Sequence, residues 1–336
     1  GYARAEKMTL KINVSYLDGN INDLSTGLER SGDAVGKWLQ QQTTEEALAA
    51  IPTVFSICGR SHDVAARLAL GELTDTDAAQ QLAHKAVIES IREYVIRLLQ
   101  HWDYPIDRAA LGQWMQAVNE DTLTPADLAR QVQALLPDAQ QTADWLSNIQ
   151  QIWQRQFGNV QFNTEQTNKE QLQTYFQWSP QAPGADVNFY AGTGADVLAS
   201  HNSTLDQVLA EVIRQMLSDM NYLIGRLTGE MTGYALIQHC LREDEQGQHS
   251  EGWVRTSRGW LCHRITTHGN DREWQVISPT DINFASANSL LNTLLSATSS
   301  APEAVESVVA ATVKAIDPCV EFTITVNGTS SGERHA

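Results

Sequence analysis

The stretch 205–227, LDQVLAEVIRQMLSDMNYLIGRL, gives the clearest indication of the fold in this sequence. Its apolar side chains recur at intervals of three and four residues, the spacing of a helix with a buried face. The apolar positions are Leu205, Val208, Leu209, Val212, Ile213, Met216, Leu217, Met220, Leu223, Ile224 and Leu227. A stripe this wide predicts a central helix that packs on several neighbours, with Ser203 as its N-cap.

Further helical patterns precede this stretch. Residues 87–102 repeat apolar side chains at three and four and predict a long helix that ends near Pro105. Thr124 followed by Pro125 predicts a cap and a first helical residue, with the helix running to about Leu136. We expect another helix over 142–155, and a polar helix to about residue 50 that Pro52 ends.

Short strands flank the helical part of the chain. Residues 10–16 alternate apolar and polar side chains, and 18–20 predict a hairpin turn. Residues 252–278 predict two or more strands, and 320–326 a final strand after further helices. The fold class is therefore α+β and predominantly α-helical. Its core is long packed helices, with small β-hairpin or sheet elements near the N-terminus and in the C-terminal third.

The domain organisation is expected to be simple. We predict one domain over 8–326, with a possible internal boundary at the loop 177–184, QWSPQAPG. Residues 1–7 are expected to be a cloning remnant or disordered, because Met8 would serve as the natural start. Residues 327–336 are expected to form a flexible tail.

The composition excludes several classes of function. The chain has 336 residues and a net charge of −17, which disfavours binding to nucleic acid or to anionic membranes. No stretch approaches the roughly 20 apolar residues that span a bilayer. Four scattered cysteines are too few for a disulfide scaffold. We therefore expect a cytoplasmic protein with free thiols and protein partners.

Two cysteines are candidates for a metal site. Cys58 lies in the stretch 55–62, FSICGRSH, just before a predicted helix, where the helix N-terminus would favour a thiolate. Cys319 follows Asp317 and Pro318 at the start of the last strand. From the residues alone, two small buried hydrophobic side chains remain the commoner explanation. The pairs Cys240 with His239, expected on a helix, and Cys262 with His263 favour core packing over a metal site.

Several motifs resemble those of nickel–iron hydrogenase large subunits, and they occur in the same order. Residues 317–319 are similar to the start of their C-terminal signature Asp-Pro-Cys-x-x-Cys-x-x-His. Residues 55–61 resemble their N-terminal signature Arg-Ile-Cys-Gly-x-Cys-x-x-x-His. Residues 257–263 are similar to Pro-Arg-Gly-x-Leu-x-His, and 275–283 to a strand that ends in Val-Pro-Thr-x-x-Asn.

The departures from this pattern are as informative as the matches. Each Cys-x-x-Cys of the family supplies a terminal nickel ligand and a thiolate that bridges nickel to iron. The bridging positions fall here at Ser61 and Phe322, which offer no thiolate. The signature histidines fall at Ala65 and Thr325, and the family's proton-relay glutamate falls near Lys7. The chain is also shorter than typical catalytic subunits.

The resemblance implies a non-catalytic relative of the HupK/HoxV type, a hydrogenase maturation protein. Such a scaffold carries the iron–dicyanide–carbonyl group, Fe(CN)2CO, transiently and without nickel, and can lack it when purified. Its partners would be the chaperones that assemble Fe(CN)2CO and the hydrogenase large-subunit precursor, with no nucleic acid or membrane involved.

The resemblance also assigns roles by position. Cys58 and Cys319 would hold the iron group, and no catalytic residue is expected. Arg258 would donate to cyanide, with a structural ion pair as the open alternative, and Thr280 would donate to a cyanide or be structural. Ser61 would donate to the iron group or to Cys58. His263 matches a family position that would support the ligands from behind. Apart from the resemblance, we expect His62 and Arg60 to be surface or capping residues and not ligands.

Two alternatives to the maturation scaffold stay open. One is a metal-free interaction module of the same fold, comparable to the quinone-site subunit of respiratory complex I. The other is a divergent catalytic large subunit, against which the missing bridging thiolates and cleavage histidine argue.

Overall fold

The structure, a computed structural model, covers the chain with several gaps. It describes residues 9–28, 32–55, 57–73, 76–161, 204–232, 236–244, 247–269, 271–284, 290–296 and 298–328. The predictions for residues 1–7, for the loop 177–184, for Ser203 and for residues 329–336 lie outside these ranges.

A three-stranded sheet joins the two ends of the described chain. Its strands are β1 (Thr9–Leu17), β2 (Asn20–Leu28) and β7 (Glu321–Gly328), in the order β2-β1-β7. The predicted hairpin is confirmed: β1 and β2 are antiparallel, and Asp18 and Gly19 have positive φ values of 49° and 85°. Strand β7 lies parallel to β1, with Phe322 opposite Leu10. It includes Gly328, so order extends into the predicted tail.

Seven helices follow the hairpin in the described sequence. They are α1 (Gly32–Leu39), α2 (Thr44–Val54), α3 (Gly59–Ala69), α4 (Thr76–Trp102), α5 (Arg108–Glu120), α6 (Pro125–Leu135) and α7 (Ala139–Phe157). The predicted helices at 87–102, 125–136 and 142–155 are confirmed, including the N-cap Thr124, which accepts from the N–H of Asp127. Pro52 lies inside α2 and does not end it. That prediction was wrong because burial of neighbouring residues such as Leu48 and Ile51 holds the last turn in place.

The central helix is α8 (Leu205–Thr228). Its buried stripe packs on α4, α6, α7 and the later helix α11, so the predicted set of several neighbours is confirmed. It begins after Thr204 and ends at Gly229, whose φ of 80° suits the left-handed turn of a helix C-terminus. The main core therefore forms around one helix, as the apolar stripe predicts.

A four-stranded antiparallel sheet carries the C-terminal third. Its strands are β3 (Ile237–Asp244), β4 (Gly247–Thr256), β5 (Gly259–His268) and β6 (Asp271–Ile277), in sequence order. Helices α9 (Pro279–Phe284), α10 (Leu290–Leu295) and α11 (Val305–Ile316) lead from it to β7. The prediction that Cys240 lies on a helix was wrong, because the residues around it pair with β4.

Helix α3 crosses this sheet at close range. It packs on β4 and β5, and Gly252 of β4 faces the backbone of α3 around Ala65. The fold class predicted from the sequence, α+β with mainly helices and small sheets, is confirmed. Among the described helices, none combines the length and the apolar character needed to cross a membrane.

Candidate functional site

A small cavity lies where the N-terminus of α3 meets one end of the four-stranded sheet and the segment before β7. Its volume is about 50 Å³, which at roughly 10–15 Å³ per water-sized group admits about three to five such groups. The polar residues that line it include Cys58, His62, Arg258, Thr280 and Cys319.

Cys58 and Cys319 reach this cavity from opposite ends of the chain. Cys58 is the residue that precedes α3, and Cys319 lies between α11 and β7. Asp317 ends α11 with a φ of 70°, and the chain then turns through Pro318 toward the sheet. Both cysteines are partly buried and free.

Thr280 contacts Cys319 through two hydrogen bonds. The backbone N–H of Cys319 donates to Oγ1 of Thr280 at 3.1 Å, and this hydroxyl donates to Sγ of Cys319 at 3.0 Å. Burial raises the pKa of the Cys319 thiol, whereas Arg258 and the Thr280 hydroxyl lower it. Thr280 thus lines the cavity, with its proton directed at the sulfur of Cys319.

The Cys58 thiol has a raised pKa. Burial is the main cause, and the nearby Cys319 and Glu89 add to it against the opposing effect of Arg258. The expectation that the helix N-terminus favours a thiolate here was wrong. The N–H groups of Arg60 and Ser61 donate to the Glu89 carboxylate, at 2.9 and 3.0 Å. Glu89, and not the sulfur, receives the benefit of the helix N-terminus.

The two positions that would carry bridging thiolates are occupied in other ways. The Ser61 hydroxyl donates to Oε1 of Glu89 at 2.7 Å, so its proton is not directed at Cys58 as the sequence suggests. Phe322 lies in the β7–β1 ladder and packs against the main core. In the part of the chain that the structure describes, neither residue lines the cavity.

Arg258 lies in the turn between β4 and β5, where it forms ion pairs beside the cavity. It lines the cavity, and NH2 lies 3.3 Å from Oε2 of Glu93 while Nε lies 3.7 Å from Oδ2 of Asp317. Arg97 pairs with the same two carboxylates. Burial lowers the pKa of Arg258, but Asp317 and Glu93 outweigh it, so the net shift is upward and the guanidinium keeps its charge.

The carboxyl group of Asp317 has a raised pKa. Burial raises its pKa to about 7, although Arg258 acts in the opposite direction. Two buried guanidinium groups thus face two buried carboxyl groups beside the cavity. The spacing of Glu93 and Arg97, four residues apart on the buried face of α4, was the sequence signal for this cluster.

His62 is a cavity residue and not a surface or capping residue as predicted. It is only 2% exposed, and its ring stacks on Phe55 with centroids 3.4 Å apart. Its Nδ1 lies 2.9 Å from Nε2 of His263, and Nε1 of Trp274 donates to Nδ1 of His263 at 3.0 Å. The i, i+4 spacing from Cys58 was the signal that could have placed His62 at the site.

Both histidines are neutral at physiological pH. Burial is the main cause of the lowered pKa of His62, and His263 adds to it. Burial alone lowers the pKa of His263 to about 3. His263 lies behind His62 and does not line the cavity within the described residues.

The other two cysteines pack in the sheet. Cys262 lies in a buried cluster with Trp253 and Trp260, and Cys240 packs against the same cluster. Across the described residues, no group of three or more His, Cys, Asp or Glu side chains is arranged to hold a metal ion.

Comparisons with known proteins point to hydrogenase maturation. The chain is 26% identical over 363 residues to the hydrogenase expression/formation protein HupK of Azotobacter vinelandii, covering 94% of this chain and 98% of HupK. It is 26% identical over 356 residues to the hydrogenase expression/formation protein HupV of Azotobacter chroococcum mcd 1, with the same coverage. No protein-family model matches the sequence.

Among solved structures, the fold aligns with hydrogenase chains. An NAD+-reducing NiFe hydrogenase in the H2-reduced state aligns with a TM-score of 0.42 and 15% identity, over 90% of this chain and 93% of that chain. A variant NiFeSe hydrogenase from Desulfovibrio vulgaris Hildenborough aligns with a TM-score of 0.48 and 11% identity, over the same shares. Over nearly its whole length, the chain is thus similar to the hydrogenase expression/formation proteins HupK and HupV.

Proposed function

We propose that this chain is an accessory scaffold of nickel–iron hydrogenase maturation that holds Fe(CN)2CO on Cys58 and Cys319 before its transfer to a hydrogenase large subunit. The observation that carries the proposal is that both cysteines line the same cavity, together with Arg258 and Thr280. The two cysteines are 261 positions apart (319 minus 58) and form no disulfide. They offer two sulfur ligands beside a cation and a hydroxyl.

The donors around the cavity match the chemistry of the proposed cargo. Cyanide bound to iron is an anionic acceptor, and a buried guanidinium is a strong donor to such groups. Within the described residues, Nε of Arg258 is buried without a hydrogen-bond partner. A ligand acceptor in the cavity would complete the hydrogen bonding of this atom.

The raised pKa values of the two thiols support transient binding of the iron group. Thiolate is the form that binds metal, so both cysteines must lose a proton when the iron group arrives. Because burial raises the pKa of both thiols, the protonated form competes with the metal and favours release. A site that binds and then releases suits a carrier better than a permanent catalytic centre.

The absence of bridging thiolates supports an accessory role instead of catalysis. Ser61 is committed to Glu89, and Phe322 packs in the core, so no sulfur at these positions could join a second metal to the first. On this proposal the site takes iron without nickel. The partners are the chaperones that assemble Fe(CN)2CO and the large-subunit precursor, in the cytoplasm.

A metal-free interaction module of the same fold is the second candidate. The raised thiol pKa values favour it, since two protonated, buried cysteines are stable without any ion. It differs from the first candidate in predicting that the cavity never receives the iron group.

Infrared spectroscopy separates these functions. The protein is co-expressed anaerobically with the hydrogenase maturation machinery and purified without oxygen. The scaffold function predicts cyanide and carbonyl stretching bands with iron and without nickel. Cys58→Ala or Cys319→Ala should abolish the bands, whereas Cys240→Ala, a matched change outside the cavity, should retain them.

Other outcomes would reject the proposal. Complete absence of bands in the wild-type protein would favour the metal-free module. Hydrogen uptake with stoichiometric nickel would instead establish a catalytic subunit.

A further inference from the structure

A row of three hydrogen-bonded side chains ends at the cavity. Nε1 of Trp274 lies 3.0 Å from Nδ1 of His263, and Nε2 of His263 lies 2.9 Å from Nδ1 of His62. The row begins on β6, crosses to β5 and ends on α3, and all three side chains are buried. The last ring, His62, lines the cavity.

The direction of the hydrogen bonds in this row follows from its first member. An indole N–H can only donate, so Nδ1 of His263 must be the acceptor. A neutral imidazole carries a single N–H, which in His263 is therefore on Nε2 and donates to Nδ1 of His62. The proton of His62 is then on Nε2, the remaining ring nitrogen.

The ring of His62 is fixed in position as well as in tautomer. Phe55 stacks on this ring with an interplanar angle of 5°. The backbone N–H of His62 donates to the carbonyl of Cys58, one turn earlier. With Nδ1 committed to His263, Nε2–H is the remaining polar group of the ring, and the ring lines the cavity.

We propose that His62 is a ligand-binding donor whose Nε2–H bonds to the outer atom of an anionic diatomic ligand, cyanide, on the metal that Cys58 and Cys319 hold. This inference rests on the proposed function and adds a donor that the sequence motifs do not assign. Arg258 donates from the β4–β5 turn, and His62 donates from α3.

The same row argues against His62 as a metal ligand. To coordinate through Nε2, the ring would need its proton on Nδ1, directed at Nε2 of His263. The proton of His263 would then lie on Nδ1, where it faces the N–H of Trp274 with no acceptor between them. Trp274 thus holds His62 in the donor form, and is a positioning residue for it.

The first test needs only the purified protein. In protein labelled with ¹⁵N-histidine, long-range proton–nitrogen spectra distinguish the two tautomers, with His62→Phe identifying the signals of residue 62. We expect His62 and His263 both in the Nε2–H form, and Trp274→Phe should introduce the other tautomer. An Nδ1–H form of His62 in the wild-type protein would overturn the inference.

The second test uses the anaerobically loaded protein. His62→Phe keeps a ring that can stack on Phe55 but removes the donor, so at least one cyanide band should shift while iron content is retained. His62→Gln, which restores an N–H donor, should move that band back toward the wild-type position. His239→Phe, a matched change at an exposed histidine of β3, should leave all bands unchanged.

The proposed carrier function and the donor role of His62 can be rejected separately. If the wild-type protein shows no cyanide bands, the proposed function fails, and the cargo part of this inference fails with it. If the bands are present and identical in His62→Phe, the inference about His62 fails while the carrier function stands. Loss of iron together with all bands in His62→Phe, without rescue by Gln, would indicate a metal ligand and would also overturn it.

Discussion

Helix α3 carries both Cys58 and His62 to the cavity, and its distance from the sheet depends on one glycine. A Cβ atom at Gly252 would lie 1.9 Å from the carbonyl oxygen of Ala65, 2.7 Å from Cβ of Leu68 and 2.8 Å from the backbone nitrogen of Ala69. Contacts to real Cβ atoms are ordinarily 3.4 Å or longer. Two of the three atoms are backbone, so no side-chain rotation relieves the clash.

The cost of Gly252→Ala follows from this geometry. The difference between 3.4 and 1.9 Å requires α3 and β4 to separate by about 1.5 Å locally. Overpacking of this kind costs about 1–3 kcal/mol. The same movement would stretch the 2.9 Å contact between His62 and His263 beyond hydrogen-bonding distance, which adds about 1 kcal/mol. We therefore expect a loss of about 2–4 kcal/mol in the free energy of unfolding.

Thermal unfolding of the purified protein measures this loss. At about 2.1 cal/mol/K per residue, a loss of 3 kcal/mol lowers the Tm of a chain of this length by about 4 °C. The matched control is Gly27→Ala in β2, where an added Cβ meets no atom within 4 Å. The control should change Tm by less than about 1 °C, since such surface changes are usually within 0.5 kcal/mol. A Tm for Gly252→Ala equal to that of the control would refute the close packing of α3 on β4.

Three further predictions concern the cavity. Thr280→Val removes the hydroxyl that lowers the pKa of Cys319. Iodoacetamide should therefore modify this thiol about two- to tenfold more slowly at pH 8, as measured by mass spectrometry. An unchanged rate would contradict the hydrogen bond from Thr280 to Cys319. Glu89→Gln removes a negative charge that raises the pKa of Cys58, so its modification should become faster, and a slower reaction would contradict the assigned sign. His263 has a folded pKa of about 3, below its ordinary value of 6.5, so between these values the unfolded chain binds a proton that the folded chain does not. The free energy of unfolding should therefore fall by about 2 kcal/mol from this residue between pH 7.5 and 5, and denaturant titrations of His263→Gln should show a shallower pH dependence than the wild type.

Local sequence patterns correctly predicted the elements whose structure is set by neighbouring residues. The hairpin at Asp18 and Gly19 follows from alternation and turn chemistry, and the start of α6 follows from Thr124 and Pro125. The stripe on α8 predicted both the helix and its several neighbours, because a wide apolar face must be covered on more than one side. These elements depend on residues adjacent in sequence.

Patterns failed where distant contacts outweigh local preference. Pro52 continues α2, since the packing of neighbouring residues offsets the loss of one backbone hydrogen bond. Residues around Cys240 form a strand because β4 supplies hydrogen-bond partners that no local pattern reveals. His62 was assigned to the surface because nothing in the stretch 55–62 indicates a second histidine more than two hundred residues later.

The sequence by itself predicted the central helix, the flanking strands, the resemblance to hydrogenase maturation proteins, and Cys58 and Cys319 as candidate metal ligands. Only the tertiary structure decided what surrounds them. It directs the N–H groups of Arg60 and Ser61 at Glu89, gives Arg258 two carboxylates, and links His62 to Trp274 through His263. The physical reason is that the protonation of a buried group depends on desolvation and on the charges packed against it, and these come from residues far apart in the chain.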